Sequence, residues 1–181
     1  MANKKRMSES LQLLIDQIDT PIGEFLIVSD QDGNLRATDW REHEARMRRL
    51  LHLQYGENAA RLEPACNPHG LTEEIRKYFS GELAAIDGLP VRTAGTAFQQ
   101  EVWQELRKIP CGTTISYGQL AQRIGRPAAV RAVGLANGSN PVGIIVPCHR
   151  VIGANGTLTG YGGGLERKRW LLAHESQCRQ L

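Results

Sequence analysis

The sequence predicts an α+β fold in two parts. Three observations carry that prediction: short apolar runs split by turn signals near the start, two Ser/Thr-x-x-Gln helix-opening boxes further on, and a reversal of charge between the halves. With 181 residues, the chain can bury one or two real cores. Residues 1–91 hold 11 Lys+Arg against 15 Asp+Glu, a net -4, and residues 92–181 hold 11 against 4, a net +7. We expect a small α+β domain over 1–91 and a helical domain over 92–181. The basic second half suggests a polyanionic partner, and an Arg-rich surface without one is the alternative. No apolar run approaches the ~20 residues of a membrane span. Met1–Ser10 lacks the apolar core of a signal peptide, so a frayed, cytoplasmic N-terminus is expected.

In the first half, Leu11–Ile18 and Glu24–Ser29 are apolar runs split by Asp19-Thr20-Pro21-Ile22-Gly23. Asp30-Gln31-Asp32-Gly33-Asn34 is the next turn, before Leu35–Trp40. Such punctuation predicts a three-strand antiparallel meander. Glu42–Tyr55 reads as a helix, with Met47, Leu50, Leu51 and Tyr55 on one face. Its charged residues (Arg41, Glu42, Glu44, Arg46, Arg48, Arg49) read as solvated surface. A second helix runs from about Leu71 to Phe79. The segment from Asp87 to Gly95 reads as a linker.

The second half opens with Thr96-x-x-Gln99, a capping box, and an apolar stripe of Phe98, Val102, Trp103, Leu106 and Ile109. Pro110-Cys111-Gly112 stops that helix. Ser116-x-x-Gln119 opens another, Tyr117–Ile124, with Gly125 suited to the position after its end. Pro127 suits the start of a third helix running to about Asn137. Helix, Gly-containing turn, helix is the helix-turn-helix pattern. Around Arg131 lie Pro127, Ala128, Gly134, Leu135 and Gly138, a face trimmed to almost nothing, with Val130 and Val133 free to pack inward. Trimming permits close backbone approach, either to a nucleic-acid groove or to another helix; a lone guanidinium is costly to bury, which favours the groove.

Ile144-Ile145-Val146-Pro147-Cys148-His149-Arg150-Val151-Ile152 reads as a buried strand stopped by proline, with three reactive side chains behind it. A thiolate is the nucleophilic form of cysteine, and a neighbouring base or cation lowers its pKa. A small buried Cys beside a satisfied His is the bland alternative. Cys66, Cys111, Cys148 and Cys178 form no Cys-x-x-Cys pair, and His43, His52 and His69 lack metal-ligand company, so no metal is expected. Asn155 to Gly164 is a Gly-rich loop without the spacing or Lys of a phosphate-binding loop. Leu165–Glu175 is a final helix, on which Glu175 reads either as partly buried with an imidazole as its natural partner or as an exposed residue in a frayed last turn. A regulator using only the helix-turn-helix would leave Cys148 chemically unchanged on binding DNA. A cysteine hydrolase would turn over an ester or peptide.

Several stretches together resemble the methylated-DNA–protein-cysteine methyltransferases, also called DNA alkylguanine alkyltransferases. They are Phe98-Gln99-Gln100-Glu101-Val102-Trp103, Ile115-Ser116-Tyr117-Gly118-Gln119-Leu120-Ala121, Arg131-Ala132-Val133-Gly134, Asn137-Gly138-Ser139-Asn140-Pro141, Val146-Pro147-Cys148-His149-Arg150-Val151-Ile152 and Gly160-Tyr161-Gly162-Gly163-Gly164 through Trp170–Glu175. The resemblance implies a ribonuclease-H-like first domain and a winged-helix-like second one. It implies a suicide repair reaction on alkylated guanine flipped out of duplex DNA, with no cofactor and no protein partner. Cys148 would be the alkyl acceptor, His149 its base through a water, and Glu175 the group that orients His149. Tyr117 would donate to the leaving base. Arg131 would fill the gap in the stack, with Arg126, Ala128, Ala129 and Gly134 against DNA. Asn140 would hold the turn, and Val151, Tyr161, Gly162 and Gly163 would shape the pocket. Gly143 and Gly162 are departures that bear on substrate size. The zinc ligands near the start of some relatives have no counterpart.

Overall fold

Turn residues and period-2 alternation build the first element, a sheet. The computed structural model describes residues 11–56 and 60–177; Met1–Ser10 and Cys178 lie outside the described residues. Strands β1 (Leu11–Thr20) and β2 (Gly23–Asp30) pair antiparallel from Thr20↔Gly23 to Leu13↔Asp30. β3 (Leu35–Trp40) pairs antiparallel with β2. The Asp30 carboxylate accepts from the amides of Asp32 (3.0 Å) and Asn34 (2.8 Å), which fixes the intervening turn. The expected meander is present, with one addition. A fourth strand, β4 (Ala60–Pro64), joins parallel to β1 and gives the order β3-β2-β1-β4. Its Ala-Arg-Leu-Glu-Pro sequence has the polar, proline-ended character of an edge strand, so it carries little apolar signal.

Alternation sends Leu26 and Val28 to one face of the sheet and Phe25 and Ile27 to the other. The first face packs on α1 (Glu44–Tyr55) through Met47 and Leu51. The short turn Arg41–His43 is 3-10 rather than the first turn of that helix. The second face packs on α2 (Leu71–Phe79) and continues without a break into the second half, through Val102, Trp103, Leu120, Val133 and Leu171.

The helices there are α3 (Ala97–Leu106), α4 (Tyr117–Arg123), α5 (Val130–Gly138) and α6 (Leu165–Glu175). Two-residue strands β5 (Ile115–Ser116) and β6 (Val151–Ile152) pair parallel beside α4. Both capping boxes form: the Gln99 amide donates to Thr96 Oγ1 (3.2 Å) and the Gln119 amide to Ser116 Oγ (3.1 Å), and each glutamine side chain accepts in return. After α4, Gly125 adopts φ +69°, and the Arg126 amide closes back to the Ala121 carbonyl at 2.9 Å.

Three expectations need correction. α5 begins at Val130, not Pro127. Pro127 instead occupies a turn closed by the Ala129 amide on the Arg126 carbonyl (2.9 Å), a position proline favours, and the helical ladder starts with the Val133 amide on the Ala129 carbonyl (2.9 Å). Ala128 therefore precedes the helix it was expected to ride on. Val133 is buried as expected, but Val130 is 39 % exposed at the helix start. Finally, Ile144–Val146 is buried yet not a strand. Ile144 takes φ +74°, and Asn140 uses the groups a strand would pair: its Nδ2 donates to the Val146 carbonyl (2.7 Å) and its Oδ1 accepts from the Val142 amide (3.0 Å). No helix among the described residues is long and apolar enough to cross a membrane.

Gly125→Ala places a Cβ in the left-handed region with no steric contact to blame. We expect a loss of about 1 kcal/mol in unfolding free energy, read from denaturant midpoints at constant slope.

Candidate active site

Cys148, His149 and Arg150 form one 3-10 turn, pinned by the Cys148 amide on the Val146 carbonyl (2.8 Å). All three are buried, Cys148 at 8 % exposure. Behind the turn lies the Glu175 carboxylate, fully buried at the end of α6. Its Oε1 accepts from Tyr78 Oη (2.8 Å), His149 Nε2 (2.8 Å) and Arg150 Nη2 (2.9 Å); its Oε2 accepts from Arg150 Nε (2.8 Å). Arg150 Nη1 also donates to the Ile109 carbonyl at 2.6 Å. Burial alone would raise the Glu175 pKa, but His149 and Arg150 outweigh it and hold the carboxyl well below its ordinary range. A carboxylate can only accept, so His149 Nε2 carries a proton and Nδ1 is the ring atom that can take one up. Nδ1 is buried and has no hydrogen-bond partner among the described residues.

The expected lowering of the Cys148 pKa is not found. Burial raises it, and the opposing effects of the Asn140 side chain and the Lys168 charge do not compensate. The reason is geometric: Arg150, the cation beside it in sequence, turns away to Glu175.

Cys148 lines a cavity of about 310 Å³ together with Tyr117, Asn140, Tyr161, Gly162 and Gly163. Five of the expected site residues thus meet at the thiol. Gly134, also expected, lines it from α5, beside Asn137 and Gly138. Burial raises the Tyr117 pKa, partly offset by hydrogen bonds from Thr159 and Asn137. Burial also pushes Tyr161 well above the ordinary phenol value. Both phenols are therefore protonated at neutral pH. Val151 does not line this cavity; its carbonyl accepts from Lys168 Nζ at 2.6 Å. Arg131 is exposed and makes no ion pair among the described residues. Ala128 and Arg126 are exposed too and Ala129 half-buried; Arg126 pairs with Glu101 at 3.3 Å and lies over the Phe98 ring.

Four residues escaped the sequence reading. Tyr78 reaches Glu175 from α2. Lys168, fully buried, donates to the Val151 and Thr159 (2.8 Å) carbonyls, and burial lowers its pKa. Its signal was available: Lys168, Leu171 and Glu175 share one helical stripe, and a lysine within it needs partners. Asn137 is buried at the cavity wall, with Oδ1 unpartnered among the described residues. Arg46, expected on a solvated face, lines the cavity instead. Among the described residues, no group of three His, Cys, Asp or Glu side chains could hold a metal ion.

Known proteins match this arrangement over most of the chain. The family model described as 6-O-methylguanine DNA methyltransferase, DNA binding domain, matches residues 97–177; that of its ribonuclease-like domain matches residues 13–93. A methylated-DNA–protein-cysteine methyltransferase of Shigella flexneri is 54 % identical over 165 residues, 91 % of this chain and 96 % of the relative. One of Methanosarcina acetivorans is 42 % identical over 160 residues, 88 % and 96 % of the two chains. The crystal structure of Mycobacterium tuberculosis OGT in complex with DNA superimposes with a TM-score of 0.74 at 41 % identity, covering 92 % of this chain and 94 % of that one.

The Glu175 network carries a pH signature. Its folded pKa is depressed, so the unfolded chain binds the extra proton as pH falls. The stabilisation is present above the ordinary carboxyl value of 4.5 and is lost on acidification below it. Glu175→Gln should cost about 3 kcal/mol or more at neutral pH, the scale of breaking a buried pair. Urea denaturation of both forms across the acid range should show the difference shrinking below pH 4.5. A gap that does not depend on pH would contradict it.

Proposed function

Because the chain belongs to the methylated-DNA–protein-cysteine methyltransferase family, we propose that Cys148 is the acceptor in its repair of alkylated DNA. The activity itself is DNA repair by transfer of an alkyl group to a cysteine. The observation that carries the assignment is the cavity in which the Cys148 thiol meets Tyr117, Asn140, Tyr161 and Gly162, backed by the His149–Glu175 pair.

The substrate is guanine alkylated on its 6-oxygen, flipped from a duplex into the cavity; thymine alkylated on its 4-oxygen offers the same alkoxy carbon beside a ring nitrogen. The Cys148 proton passes through a water to His149 Nδ1, and Glu175 stabilises the cation that forms. The thiolate attacks the alkyl carbon, the S–C bond forms, and the C–O bond breaks with its electrons going to the base. The base takes a proton on a ring nitrogen with Tyr117 as its donor, and the proton held by His149 restores the phenol through solvent, so thiol plus alkylated base become thioether plus protonated free base. Because the resting thiol is protonated, thiolate forms as part of the reaction rather than before it. A thioether has no good leaving group, so each molecule acts once and needs no cofactor.

Arg131 enters the stack as the base leaves, and Ala128, Ala129 and Gly134 let the backbone approach the groove. Arg126 joins them once released from Glu101. Val151 acts at one remove, its carbonyl anchoring the buried Lys168 Nζ at 2.6 Å. Residues 1–91 support this machinery and residues 92–181 carry it. Monomeric action in the cytoplasm belongs to this reading: the thiol, His149, Glu175 and the cavity are complete within one chain.

Two measurements follow. Intact mass after mixing with a duplex containing 6-O-methylguanine should rise by one methyl per chain; Cys148→Ala should abolish the gain, while Ala at Cys66, Cys111 or Cys178 should not. Methyl mapped to any of those three would refute the assignment. Arg131→Ala should slow repair in duplex far more than reaction with the free alkylated base, because flipping costs a few kcal/mol only in duplex. Equal losses on both substrates would make Arg131 structural.

A further inference from the structure

Arg46 belongs to α1, yet its guanidinium reaches the glycine loop that borders Cys148. Its Nε donates to Asp39 Oδ2 at 2.9 Å, Nη2 pairs with Asp39 Oδ1, and Nη1 donates to the Gly162 carbonyl. Asp39 is 5 % exposed, so the anchor is fixed. Arg46 and Gly162 both line the cavity that holds the thiol. A Cβ at Gly162 would lie 2.5 Å from Arg46 Nη1 and 2.9 Å from its Cζ. Gly162 is not among the residues of positive φ. Backbone conformation therefore does not demand glycine there; a side chain would instead have to displace the Arg46 guanidinium, which occupies the space.

We propose that Arg46, latched by Asp39 against Gly162, is a specificity-determining residue that sets how large an alkyl group can reach Cys148. The first half of the chain then supplies a wall of the substrate pocket as well as support. This rests on Cys148 being the acceptor, and it goes beyond that reading by assigning lesion size to a residue far from the reactive turn. A bidentate, planar cation suits the task, since it holds the carboxylate and the loop carbonyl at once and fixes the wall in one position.

The test is single-turnover transfer from duplexes carrying 6-O-methylguanine or 6-O-benzylguanine, followed as adduct mass on Cys148. Arg46→Ala should raise the benzyl-to-methyl rate ratio by about 10-fold, the scale of a methylene-sized change in a pocket. Gly162→Ala should slow transfer while Arg46 is present and have little effect once Arg46 is replaced by Ala, a non-additivity expected of groups in contact. Should Arg46→Ala fail to fold, Arg46→Gln keeps the test open, because it shortens the side chain and removes the fork. An unchanged ratio, or additive effects of the two substitutions, overturns the latch. A wild-type protein that transfers neither group to Cys148 overturns the acceptor assignment beneath it, and the two failures are distinct.

Discussion

A fully buried carboxylate is tolerable only when its oxygens are met by donors, and Glu175 meets that condition with Tyr78, His149 and Arg150. These donors come from two distant parts of the chain. Tyr78 lies on the helix that covers the sheet. His149 and Arg150 lie on the reactive turn, and Arg150 continues to the Ile109 carbonyl beyond the end of α3. One carboxylate therefore fixes α6, the turn and α2 relative to one another. The apolar core likewise runs unbroken from sheet to helices, although the charge of the chain reverses between its halves.

The same carboxylate shapes the chemistry. By taking Nε2 of His149 it decides the tautomer and leaves Nδ1 able to accept a proton, as the proposed role requires. By taking Arg150 it removes the cation that would have ionised Cys148 early. A buried thiol that stays protonated until a base and a substrate are in place is protected from casual oxidation, because the thiolate is the reactive form. The Asn140 side chain and the Lys168 charge oppose the rise that burial causes without cancelling it.

Local signals were legible in the sequence. Both capping boxes, Gly125, the meander turns and the Cys148-His149 pair depend on residues within a few positions of one another. What escaped depends on distant partners. Tyr78 meets Glu175 across 97 positions and Arg46 meets Gly162 across 116, so neither pairing leaves a periodic trace. The β4 strand is edge-like and polar. The Ile144 segment looked extended because apolar runs usually are; Asn140 claims its hydrogen-bonding groups and bends it, and nothing in an apolar run announces a side chain that will do so. Lys168 is the exception, a buried cation whose helical spacing with Leu171 and Glu175 could have been read.

The central claim is that Glu175 acts on Cys148 through His149 rather than by its charge alone, and the two routes differ in sign. Removing a negative charge from the neighbourhood of a thiol should by itself lower the thiol pKa. Removing the group that stabilises the histidine cation should raise it. The deciding measurement is an ultraviolet titration of the thiolate in a chain with Cys66, Cys111 and Cys178 replaced by Ser, with and without Glu175→Gln. The account predicts that Cys148 titrates above an ordinary thiol in the parent chain and higher still after Glu175→Gln. A downward or absent shift would contradict it.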